Sequence, residues 1–165
     1  MTTTVENELK SSPHWGALVG FLTLTLAVGA IAGFATGSSI DGWYATLAKP
    51  SFNPPNWVFG PVWTTLYVLM AFAAWRAWRV VGWRGAALAM FLVQLALNFA
   101  WSFIFFTAHQ LGLALIELAV MLVAIVATTT VFWRIDRAAG ALMLPYIAWV
   151  SFAGVLNAAL WQLNG

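Results

Sequence analysis

Five long apolar runs, at about 15–37, 56–78, 84–105, 110–133 and 138–161, occupy most of the chain, and its polar residues collect in the gaps between them. A helix needs roughly 20 apolar residues to cross a hydrocarbon core of ~30 Å. Each run is about that long. The strands of a membrane barrel would instead read as alternating segments of ~10 residues. Lipid offers no partner to an open backbone, so each run must close its own hydrogen bonds as a helix. The pattern predicts an all-α integral membrane protein, a five-transmembrane-helix bundle over residues 15–162 behind a short cytoplasmic tail at 1–14. All connections are short except 38–55.

Composition agrees with the pattern. Of 165 residues, 62% are hydrophobic and 7% charged, against about 25% charged in soluble domains. The first run holds a cleavage-like A30-I-A32, but Glu6 and Glu8 stand against Lys10 ahead of it and the apolar run continues past the cut. It reads as a retained span rather than a signal peptide. Gly29, Gly33 and Gly37 recur at four-residue spacing along one face of this span, where a second helix can approach, within the chain or in a dimer.

Positive charge sets an orientation. Arg76, Arg79, Arg84, Arg134, Arg137 and Lys10 fall on one side and Lys49 alone on the other. The N-terminus and the arginine loops are therefore expected in the cytoplasm, as for a bacterial inner membrane. The 38–55 loop and the C-terminus would face away. In that frame Asn98, Glu117 and Asn157, from three different runs, lie at one depth in the outer half. Polar side chains in lipid are costly and turn inward. They read either as hydrogen-bonding glue between helices or as the polar part of a cavity.

The chain has eleven tryptophans and no cysteine. Tryptophan favours the two membrane interfaces, and Trp15, Trp75, Trp78, Trp83, Trp133 and Trp161 fit such belts. Trp63, Trp101 and Trp149 fall within runs. With the polar residues at similar depth, they predict an aromatic-walled pocket suited to a flat, mostly apolar molecule.

The longest polar gap reads W43-Y-A-T-L-A-K-P-S-F-N-P-P-N-W57, followed by P61-V-W-T-T-L-Y67, Q94-L-A-L-N-F-A-W101 and P145-Y-I-A-W149. In these motifs the chain resembles the TspO/MBR family of tryptophan-rich sensory proteins, bacterial relatives of the mitochondrial translocator protein (the peripheral benzodiazepine receptor). The likeness covers all five runs in order. It implies a five-helix bundle, usually a homodimer, that binds porphyrins such as protoporphyrin IX and other flat hydrophobic ligands beneath the loop joining the first two spans. Matched motif by motif, it assigns Trp57, Asn98, Trp101, Trp149 and Ala153 to the ligand pocket and Tyr44, Pro50 and Phe52 to the covering loop. Trp57 and Trp149 also match the tryptophans implicated in light-driven porphyrin breakdown in some relatives. Prolines stiffen a loop, so 38–55 reads as a lid over a cavity open to the non-cytoplasmic face. Lys49 would meet a ligand's propionate or serve as a helix-end contact.

The chain departs from the family in two places. The animal sterol motif in the last helix needs a Tyr and a basic residue where this chain has Ala158 and Gln162. Ser102 and Phe103 replace two prolines of the animal relatives, which predicts a straighter third helix. Some relatives lie in outer membranes, which leaves that location open beside the inner membrane.

Other chemistry finds no support in the sequence. Without cysteine there is no thiolate ligand or covalent haem attachment. His14 and His109 stand at opposite span ends, so no metal or resident cofactor is expected, and His109 reads as a solvated loop residue. No nucleophile–histidine–acid set appears, and the pI of 9.4 follows from the arginines without implying a nucleic-acid partner. Three functions remain open: a porphyrin-binding sensor regulating tetrapyrrole or stress responses, a porphyrin translocator, and a light-dependent porphyrin-degrading enzyme. The chain lacks inverted repeats of the kind found in many secondary transporters.

Overall fold

The computed structural model describes residues 14–83 and 85–165, with the backbone alone at residue 38. The tail with Glu6, Glu8 and Lys10, and Arg84, lie outside the described residues. Helix α1 spans Trp15–Asp41, α2 Trp43–Thr46, α3 Asn56–Val81, α4 Ala86–Ser102, α5 Leu111–Ile135 and α6 Arg137–Asn164, with a π-helical turn at Phe103–Thr107. The described residues contain no strand. All helices except α2 are long and apolar enough to cross a membrane, the third crossing comprising α4 and its π turn.

The sequence explains how several helices end. Gly82 takes a φ of 67°, readily available to glycine alone, and donates its N–H to the Trp78 carbonyl at 2.7 Å, closing α3. Asp136 separates α5 from α6 by one residue. Its Oδ1 accepts from the Ala138 and Ala139 N–H groups at 2.8 and 3.3 Å, satisfying two orphan donors of the α6 N-terminus. Its Oδ2 pairs with Arg76 of α3 at 2.8 Å.

The five spans form a closed ring in the order α1, α3, α6, α5, α4 and back to α1. Its arginine end is tightly packed. Met70, Ala71, Ala73, Ala74 and Ala77 of α3 are fully buried, and alanine lets neighbouring backbones approach closely. Outward faces carry Val19, Ile31, Phe34, Leu92, Val120 and Val123, all exposed, as expected of surfaces bathed in lipid.

The third crossing, expected to be straighter where the animal prolines are missing, passes into a π-helical turn after Ser102. From Phe103 the hydrogen bonds widen, the Ala108 N–H reaching the Phe103 carbonyl at 2.8 Å. Inserting a residue into the turn needs no proline. The widened turn buries the adjacent Phe105 and Phe106 together.

Candidate functional site

Small residues leave a space in the half of the bundle nearest the 43–57 segment. A Cβ on Gly29 of α1 would come within 2.5 Å of the Tyr67 ring, so this glycine permits α1 to approach α3. Gly33 and Gly60 have open space where their Cβ would be. Between α1, α3, the π turn and α6 lies a cavity of about 520 Å³. Drug-sized ligands occupy sites of roughly 300–1,000 Å³.

Its wall is predominantly aromatic. Trp63 and Tyr67 of α3 stand with ring centroids 5.8 Å apart, and Phe59 meets Trp149 of α6 edge-on at 6.0 Å. Trp101 of α4 lies 5.1 Å from Phe105 and 6.0 Å from Phe106. These separations are those of favourable aromatic pairs. Ile40 and Tyr44 form the roof. Tyr44 is buried against Phe105 and Phe106 and donates its hydroxyl to Asn53 Oδ1 at 2.6 Å. Burial pushes its phenol up to about 12, the Asn53 bond opposing the shift.

Of the residues expected at the site, Tyr44, Trp63, Trp101, Trp149, Ala153 and Asn157 are on the wall. Asn98 is not. It is fully buried behind Tyr67, accepting from the Tyr67 hydroxyl at 2.5 Å and donating to the Tyr146 hydroxyl at 2.9 Å. Trp57 is also off the wall and 75% exposed, because the first turn of α3 directs it away from the bundle. Pro50 and Phe52 lie outside as well. Phe52 packs edge-on against Phe152 with ring centroids 6.4 Å apart.

The three intramembrane polar residues do not join in one cluster. The two tyrosines engage Asn98, while Asn157 Nδ2 donates to the Leu111 carbonyl at 2.8 Å. Glu117 is off the cavity wall, and its carboxylate oxygens have no hydrogen-bond partner among the described residues. Lys49 donates to the Ala45 and Leu47 carbonyls and sits 5.0 Å over the Tyr44 ring, which makes it a helix-end contact. His109, exposed, stacks on Trp43 at 4.1 Å, and no metal-holding group occurs among the described residues.

A profile of the TspO/MBR family matches residues 21–162. The chain belongs to that family. It is 40% identical to the human translocator protein over 93% of both chains. It is 42% identical to the tryptophan-rich sensory protein of Cereibacter sphaeroides, over 87% of this chain and 90% of that one. It is 38% identical to the tryptophan-rich protein TspO of Archaeoglobus fulgidus, over 89% and 96%. This chain is therefore a membrane protein of a family whose members are named as sensors and translocators. Other wall residues, within or just after the quoted motifs, were left unassigned by the sequence. Tyr67 closes the quoted P61–Y67 segment, and Phe105 and Phe106 follow the Q94–W101 segment within a few residues. The glycine stripe of α1 was the remaining signal.

Proposed function

We propose that this chain is a membrane receptor that holds a flat, mostly apolar molecule of the porphyrin class, protoporphyrin IX being the reference ligand, in the cavity beneath Ile40 and Tyr44. The observation that carries the reading is the wall itself. Trp63, Tyr67, Trp101, Phe105, Phe106 and Trp149 surround one cavity of about 520 Å³. Stacking on indole and phenyl faces favours a broad π-surface. Family membership supports the same ligand class. Occupancy would act as the signal, in a homodimer whose arginine end faces the cytoplasm of a bacterial inner membrane.

A light-dependent breakdown of bound porphyrin is the second reading, favoured by one observation: Trp149, a matched tryptophan, lies on the wall. Titration of the purified protein with protoporphyrin IX in the dark tests the receptor, following porphyrin absorbance together with tryptophan quenching. Saturation near one porphyrin per chain is expected. Partitioning that never saturates would overturn the receptor reading. Illumination of the saturated complex then separates the readings, since only the second expects oxygen-dependent product.

A further inference from the structure

The cavity's exposed wall residues all belong to two helices. Leu26, Ala30 and Gly33 of α1, and Asn56, Gly60 and Thr64 of α3, both line the cavity and are exposed. The wall residues from α4, the π turn, α6 and the roof are buried or half-buried. Within each helix the three recur at three- or four-residue spacing, one stripe along one face. At Gly33 and Gly60 an added Cβ would meet nothing within 4 Å. The two stripes thus frame a gap between α1 and α3.

The gap opens into lipid. At 1.5 Å per residue, Gly33 lies roughly 12 Å below the end of α1 and Thr64 about 12 Å below the start of α3. Phe34, beside Gly33, is 91% exposed and points outward. A molecule leaving through the gap would enter hydrocarbon.

The roof, in contrast, is tied down. Asn164, at the end of α6, accepts from the Ala48 N–H at 2.8 Å and donates to the Ala48 carbonyl at 2.9 Å. Trp43 is stacked on His109 and meets Phe105 edge-on at 5.8 Å. Opening upward would break these contacts and the Tyr44–Asn53 bond together.

We infer that ligands exchange sideways, between α1 and α3, and that the cavity takes amphiphiles already dissolved in the membrane rather than molecules arriving from water through the roof. The inner end of the path has polar character for such a molecule's polar edge. Asn157 is 1% exposed, lies on the wall and keeps an Oδ1 without a hydrogen-bond partner among the described residues. The inference rests on the receptor reading and adds the route and the phase that supplies the ligand.

A single passage serves both directions, so narrowing it slows association and dissociation alike and leaves the equilibrium in place. The test uses the full chain in lipid nanodiscs, with protoporphyrin IX delivered from donor vesicles and followed by stopped-flow quenching. Gly33→Leu and Gly60→Leu, which project into open space, are compared with Asn164→Ala, which frees the roof. The glycine variants are expected to slow association and dissociation alike by about tenfold. Because Gly33 and Gly60 also line the cavity, faster dissociation with association unmoved would mark a lost wall contact and overturn the gate. Asn164→Ala is expected to leave both rates as they were. Faster exchange in Asn164→Ala with unaltered rates in the glycine variants would overturn the lateral route and restore the roof as the way in. Rates unmoved in all three variants would also overturn it. Absence of saturable binding by the unaltered chain would remove the receptor reading, and the route with it.

Discussion

The Tyr67 hydroxyl donates to Asn98 Oδ1 at 2.5 Å, and this bond separates the cavity wall from the polar core behind it. Asn98 also donates to Tyr146, so one amide holds two buried phenols from α3 and α6. Its effect on a ligand passes through the orientation of Tyr67. Asn98→Ala should therefore destabilise the fold as well as weaken binding. A buried donor left unpaired costs about 1–3 kcal/mol, and a loss of about 2–4 kcal/mol is expected in detergent unfolding. Tyr67→Phe should cost about 1 kcal/mol alone and little more in the Asn98→Ala background, since the two share one interaction. Weakened binding with stability intact would instead make Asn98 a direct ligand contact.

Trp57 and Trp149 should behave differently. Both match the tryptophans of the family motif, but Trp149 is on the cavity wall and Trp57 is 75% exposed at the start of α3. Trp149→Phe should weaken dark protoporphyrin IX binding about threefold to tenfold, the equivalent of one aromatic pair. Trp57→Phe should leave it unchanged. Parallel absorbance titrations check this, because the loss of a fluorophore alone would change the quenching signal.

How much of this site was legible in the sequence depended on the physical scale of each feature. Span number and order follow from about 20 residues of hydropathy at a time, and the helices confirm them. Helix ends do not follow from hydropathy. α1 runs on to Asp41 because Gly37 and Ser39 end the apolar run without preventing the helix. Trp101, Trp149 and Ala153 could be placed by motif, whereas Trp57 could not, since a residue in a first turn faces wherever the helix rotation turns it. The π turn at Phe103 was invisible. One inserted residue lets the adjacent Phe105 and Phe106 be buried together, and no proline or glycine marks it.

The glycine stripe of α1 divides by function, although its residues look equivalent in sequence. Gly29 has the Tyr67 ring within 2.5 Å of where its Cβ would be, while Gly37 has nothing within 4 Å. Gly29→Val should push Tyr67 away from Asn98 and cost about 1–3 kcal/mol, as overpacking does. Gly37→Ala should be neutral or stabilising by up to about 1 kcal/mol, from helix propensity alone. Thermal unfolding of the two variants in the same detergent decides the matter. Equal effects would contradict the packing of α1 on Tyr67.

At the opposite end, the Arg76–Asp136 pair predicts a pH dependence whose sign is fixed. Burial alone would raise the Asp136 carboxyl, but its hydrogen bond from Arg76, the Ala138 and Ala139 N–H groups and the Arg76 charge together hold it below the ordinary carboxylate value. A carboxylate lowered by folding contributes stability that is fully present above its unfolded value, near 4, and is lost as pH falls through the folded value. The side chains are partly exposed, 38% for Arg76 and 19% for Asp136, so the ion pair is worth only about 0.5–1 kcal/mol. Asp136→Asn keeps a capping side chain and should cost about that much at neutral pH. Asp136→Ala loses the cap as well and should cost about 1–2 kcal/mol. Unfolding profiles of the parent and Asp136→Asn should run parallel above about pH 5 and converge below about pH 4, as the parent's carboxylate takes up its proton. Profiles that stay parallel down to the acid limit would show that Asp136 serves as a cap alone and that Arg76 adds no charge stabilisation to the junction of α5 and α6.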